Sequence, residues 1–240
     1  MIRLIGTEFK KLKGSKILLV CIIGNLIIPI LSIMTKLKTY SNDSWTTYCM
    51  QSLSLNIVLI WPCLFGIINI FVFTRDYIED TYKNLLIIAI GRTKLALAKV
   101  FTTFIIIFII SILSYLFNIA GIFIGIQFDS IEFFRDFKVY ITAGFFMFIS
   151  ILPINLVLIN TKSYIISVSS IIFYEIISVI SVWSKVLSSI VPITITLRLC
   201  DINALNIEYG LPIIYSYNIM FFTTIISIAG ILITANIQDH

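Results

Sequence analysis

Apolar residues run along this chain in long unbroken stretches separated by short polar ones. Six stretches are long enough to cross a membrane: residues 17–34, 54–73, 97–126, 139–160, 164–182 and 213–235. A helix spanning the hydrocarbon core needs about 20 mostly apolar residues, each adding about 1.5 Å toward ~30 Å of thickness. Lipid offers no partner to backbone polar groups, so spanning segments are helices or closed barrels, and runs this long without alternation are helical. The pattern predicts an all-α integral membrane protein with six transmembrane helices and both termini on one side. It leaves no room for a soluble domain, so residues 1–240 read as a single transmembrane domain. The third run is too long for one crossing. Its first turn or two, with Lys94 and Lys99, is expected to project beyond the membrane as a stalk.

The polar stretches between the runs are patterned too. In residues 1–16, Ile2, Ile5, Phe9 and Leu12 share one helical stripe, with Arg3, Thr7, Lys10 and Lys13 mostly opposite. That spacing predicts an amphipathic interfacial helix whose lysines face anionic lipid. Basic residues before the first run resemble a signal peptide. No small-x-small cleavage site follows and five more runs do, so the first run is read as a retained anchor.

Between the second and third runs lies FTRDYIEDTYKNLLIIAIGRTKLALAK, residues 73–99, where charges of both signs crowd together. Thr74 suits an N-cap, Asp76, Glu79 and Asp80 suit a helix start, and Gly91 suits its end. A short helix over 76–90 would put Ile78, Tyr82, Leu85 and Leu86 on one face and Glu79, Asp80, Lys83 and Asn84 on another. Such a helix lies along a membrane surface or docks into a groove. Residues 183–212 form the long segment on the opposite side of the membrane, and its apolar VPITITL stretch is expected to turn back and be covered by the helices.

Several polar and helix-breaking residues fall inside the apolar runs: Gly24, Asn25 and Pro29; Asn56, Pro62, Gly66 and Asn69; Pro153 and Asn155. In a bilayer such groups must meet neighbouring helices or a water-lined cavity, so they mark faces turned toward protein. A packing seam and a substrate path both fit. Glu175 is the one acidic residue placed well within a run, and an intramembrane carboxylate is a functional-site candidate by default.

Composition and charge sharpen the picture. With 59% hydrophobic residues, 12% charged and a mean hydropathy of +1.06, the chain lies far from a soluble protein's roughly 25% charged residues. A net charge of +5 could suggest nucleic acid, but the cations are distributed by topology. Of seventeen Lys and Arg, eleven fall on the side of the termini and six on the other, which places the termini and the 73–99 loop in the cytoplasm. The four cysteines show no metal spacing; Cys49 and Cys200 both map to the outer side, where a disulfide is conceivable, its geometry not being readable from sequence. The chain has no Walker-type phosphate loop, HExxH, GxSxG or His/Cys cluster. It therefore offers no catalytic residues, no metal site and no cofactor site.

The 73–99 stretch resembles the cytoplasmic loop of ABC exporter permeases of the type 2 class. It is most similar to the small six-span permeases that work with a separate ATPase in lantibiotic immunity and bacitracin resistance. The residues that carry the resemblance are Phe73 and Arg75, Asp76, Thr81, the pair Leu85 and Leu86, Arg92 and Lys99. Where the family often has Gly before the Thr and a Pro-x-Ser-Arg turn, this chain has Asp80 and Ala89-Ile90-Gly91-Arg92. The resemblance implies that residues 76–90 form a coupling helix seated in a cytoplasmic ABC ATPase, with Arg75, Asp76, Ile78, Glu79, Thr81, Tyr82, Lys83, Leu85, Leu86 and Arg92 making the contact. It also implies ATP and Mg in that partner, a second permease chain, identical or sister, and an amphiphilic antimicrobial peptide as substrate. The location would be a bacterial plasma membrane. Two other readings stay open: an ATP-independent immunity or scaffold protein that sequesters its ligand, and a proton-coupled carrier using Glu175, with Asn25, Asn69 and Asn155 as further intramembrane polar candidates.

Overall fold

The computed structural model describes residues 1–39, 44–78, 92–124, 130–161 and 163–237. Among the described residues the chain is predominantly helical, with no β-strand. Six helical stretches are long and apolar enough to cross a membrane: 17–37, 45–76, 93–123, 130–161, 164–181 and 213–235. This is a multi-pass membrane protein. Each predicted run lies within or overlaps one of these stretches, and the second and fourth extend well beyond the apolar run because flanking polar residues continue the same helix.

A short helix α1 (Ile2–Lys13) precedes the first span. That span is broken into α2 (Ile17–Asn25) and α3 (Ile27–Thr39). Pro29 lacks the N–H that would bond the Asn25 carbonyl four residues back, and the helix breaks at that point. The second span contains α4 (Trp45–Leu55), a π-helical turn over Asn56–Ile60 and α5 (Trp61–Ile78). Pro62 likewise cannot bond back to the Val58 carbonyl, and a widened turn that takes in one extra residue relieves the clash. The third span is α6 (Arg92–Asn118), followed by a 3₁₀ turn over Ile119–Ile124, and the fourth is α7 (Ser130–Thr161). The fifth span is α8 (Tyr164–Ser181) and the last is α11 (Ile213–Ile237).

α7 is the hub of the bundle, packing against α4, α5, α6, α8 and α11. The second span is the most enclosed, while α8, α11 and the first span turn most of their residues outward. Close approaches mark the seams. A Cβ on Gly144 of α7 would lie 2.3 Å from the Ser111 Oγ of α6, and one on Gly66 of α5 would lie 2.7 Å from the Ile171 Cγ2 of α8. Only glycine lets these helix pairs sit so near each other.

Buried polar side chains stitch the spans together. The Asn25 amide donates to the Ile110 carbonyl at 3.1 Å, and its oxygen accepts from the Trp61 indole at 3.2 Å. The Tyr140 hydroxyl donates to the Cys49 carbonyl and accepts from Asn118, whose oxygen in turn accepts from Ser52. The Asn56 amide donates to Ser114. These bonds put Asn25 and Asn56 in helix–helix contacts, while the Asn56 amide oxygen is buried with no hydrogen-bond partner among the described residues.

The segment 183–212 folds back as expected. It carries α9 (Leu187–Ile190) and α10 (Pro192–Leu199), with Ile193, Ile195 and Leu197 fully buried against α7, α11 and the π-helical turn. The Ser189 hydroxyl accepts from the Gly210 and Leu211 amides, and Arg198 stacks over the Tyr209 ring at 4.6 Å. All four cysteines are free. Burial pushes the Cys200 thiol up to about 12, so it stays protonated and packs as a small apolar group.

Candidate functional site

At the end of α5, Thr74 does not cap a separate helix; the helix expected over 76–90 lies mostly outside the described residues. α5 runs through Thr74 to Ile78, and the Thr74 hydroxyl donates back to the Ile70 carbonyl at 2.7 Å within the same helix. Thr74 is thus an interior residue, not an N-cap. Two residues later Asp76 is 1% exposed rather than free to make a rim contact. Its Oδ1 accepts from the Lys11 ammonium of α1 at 2.8 Å and its Oδ2 pairs with Lys99 of α6 at 2.8 Å. Two cations outweigh the cost of burying one carboxylate, which explains why the charge is retained there.

The cluster extends outward from Asp76. Glu8, itself buried, accepts from Lys11 at 2.7 Å, one turn back along α1. Lys99 also donates to the Phe73 carbonyl at 3.3 Å and sits over the Phe73 ring at 5.8 Å. Of the two lysines of the expected stalk, Lys99 is 4% exposed and locked into the bundle, whereas Lys94 is exposed. Arg75 donates to the Lys11 carbonyl and lies over Phe71. Burial works against the charge of Lys11, but its hydrogen bonds and charge contacts with Asp76 and Glu8 together outweigh it and hold its pKa above 10.5.

Three elements thus meet at one acid: α1, the end of α5 and the beginning of α6. Of the residues expected to contact a partner, Glu79, Thr81, Tyr82, Lys83, Leu85 and Leu86 lie outside the described residues. Ile78 closes α5 and Arg92 opens α6.

The intramembrane candidates divide. Asn25 is fully bonded, as above. Asn69 is buried with its amide oxygen unbonded, and Asn155 is buried with neither end of its amide bonded. Both Glu175 carboxylate oxygens are shielded from solvent and make no hydrogen bond among the described residues.

The architecture of six candidate spans agrees with what the chain resembles. The family model described as "ABC-2 family transporter protein" matches residues 4–178, nearly three quarters of the sequence. The chain belongs to the ABC-2 transporter family. This ABC-2 permease is also 34% identical over 130 residues to the bacitracin transport permease protein BCRB of Bacillus licheniformis, a match covering 52% of the chain and 60% of that relative.

Within the ABC-2 permease, the matched region takes in α1, the Asp76 cluster and every span through most of α8. Glu8, Lys11 and Lys99 were not singled out by sequence reasoning as partners of Asp76. The one signal was Glu8, the sole acid on an otherwise basic amphipathic helix and one turn from Lys11.

Proposed function

We propose that this chain is the transmembrane permease subunit of an ATP-driven exporter that expels an antimicrobial peptide of the lantibiotic or bacitracin type, for self-immunity or resistance. Family membership and the likeness to a bacitracin transport permease support this reading. The observation that carries it is the family match over residues 4–178, together with a buried ion cluster that joins Asp76 at the end of α5 to α1 and α6. A partner pressing on the chain next to this cluster would move three helices together. ATP and Mg would be held by a cytoplasmic ABC ATPase, and a second permease chain would complete the pathway. The termini and the loop lie in the cytoplasm of a bacterial plasma membrane in this reading, in keeping with the cation asymmetry. α1 would lie in the headgroup region with Arg3 and Lys10, its exposed cations, toward anionic lipid.

The test is a detergent pull-down of the chain from its native membranes. A P-loop ATPase is expected with the wild type and is expected to be lost with Leu85→Asp or Leu86→Asp at normal insertion. If no ATPase co-purifies while other membrane complexes survive, the exporter reading fails and ATP-independent sequestration of the ligand takes its place.

A further inference from the structure

Between α6, α7 and α11 lies a groove of about 280 Å³ with an entirely apolar lining, including Leu97, Phe101 and Phe104 of α6, Phe145 and Phe148 of α7, and Ile231 of α11. Phe104 and Phe148 meet edge to face across the α6–α7 seam, ring centroids 5.0 Å apart. Phe101 and Phe145 are each about half exposed at the mouth. All three helices are membrane spans at this level, so the groove opens sideways into hydrocarbon. Its occupant must be apolar along its length. It must also be thin, because a helix with side chains is about 10–12 Å across and this volume takes only a few side chains.

The wall on α6 continues beyond the groove to a cation. Lys94, Leu97, Phe101 and Phe104 fall at i, i+3, i+7 and i+10, one continuous helical stripe. Lys94 is exposed and, among the described residues, has no acidic partner, unlike Lys99 five residues later. An unpaired ammonium at the polar end of an apolar slot matches a molecule with an anionic head and a hydrocarbon tail.

We infer that this groove is a binding site for one acyl chain of an anionic phospholipid, from the leaflet on the side of the termini, with the lipid phosphate on Lys94. The lipid fills the seam between α6, α7 and α11 and ties the outward-facing α11 to the core. The site does not depend on the exporter reading, because it needs only this chain and a bilayer.

The test places a reporter tryptophan in the full-length protein, Phe101→Trp, with Phe145→Trp on the opposite wall as a second reporter should the first disturb folding. The protein is reconstituted in phosphatidylcholine vesicles with a minor fraction of phosphatidylglycerol, with brominated acyl chains on one lipid or the other. Wild-type emission is subtracted to remove the native tryptophans. Brominated phosphatidylglycerol is expected to quench the groove reporter with a preference of roughly five-fold over brominated phosphatidylcholine, the discrimination one lysine near the headgroups supplies. Lys94→Gln or high salt should abolish that preference. A reporter at Ile165, 77% exposed on α8, should show none. Equal quenching by the two lipids in the groove would reduce it to ordinary bilayer contact. A reporter quenched by neither lipid would mean that protein, such as a second copy of the chain, covers the groove.

Discussion

Asp76 and Lys99, twenty-three positions apart in sequence, pair at 2.8 Å in a site where both side chains are almost wholly shielded. The pair joins the end of α5 to the beginning of α6, and Lys11 on the other carboxylate oxygen brings α1 to the same point.

Removing one member of a buried pair leaves the other charged and unmatched, at a cost of about 3–5 kcal/mol. Asp76→Asn and Lys99→Met should each lower the thermal midpoint of the detergent-solubilised protein substantially. The double variant Asp76→Leu with Lys99→Met should lose less than the sum of Asp76→Leu and Lys99→Met, with Lys11 setting how much less. Strict additivity would mean that the two side chains do not interact.

Two glycines should respond in opposite directions to one added methyl group. At Gly144 a Cβ would meet the Ser111 side chain at 2.3 and 2.8 Å, so Gly144→Ala should destabilise by about 1–3 kcal/mol as α6 and α7 are pushed apart. At Gly6, in α1, nothing lies within 4 Å, and Gly6→Ala should be neutral or stabilise by up to about 1 kcal/mol through helix propensity. Thermal denaturation of the two single variants side by side checks both.

Both Glu175 oxygens are buried without a hydrogen bond, a configuration that costs free energy where it stands. Glu175→Leu should therefore raise stability, by about 1–3 kcal/mol if the desolvation cost of an unsatisfied polar group is recovered. A variant that is more stable yet no longer confers resistance would mark the carboxyl as kept for transport. A less stable variant would show that a partner holds it.

The contact of α1 with Asp76 should hold across the neutral range. The pKa of Lys11 is raised above 10.5 in the folded protein, so its contribution is fully present below that value and is lost only as pH climbs through the higher folded value. Limited proteolysis between α1 and α2 should thus be insensitive to pH from about 6 to 9 and accelerate only in strong alkali. Cleavage that rises already near neutrality would mean Lys11 is not held as described.

The spans were legible because length and apolarity alone decide them, and nothing in tertiary packing overrides a run such as FIIIFIISIL. The folding-back of VPITITL was legible for the same reason, since an apolar stretch outside a span has to be covered. The ion cluster was not. Lys11 and Lys99 read as two among many cations on one side of the membrane, and a one-dimensional charge pattern does not say which lysine meets a carboxylate 65 or 23 residues away. Thr74 misled because its capping preference is local. The helix it sits in continues because Asp76, two residues on, is held from outside by α1 and α6.

The π-helical turn at Asn56–Ile60 sets the heading of everything after it. One residue of α-helix is about 100° of rotation, and the widened turn takes up one residue beyond an ordinary turn. Asp76 faces its two lysines only because that offset was inserted sixteen positions earlier. Deleting a single residue within 56–60 would remove that offset and put the Pro62 ring back against the carbonyl four residues earlier. The same carboxylate would then swing away from Lys11 and Lys99, so the azimuth of the acid at one end of the span is written in the proline defect near its middle.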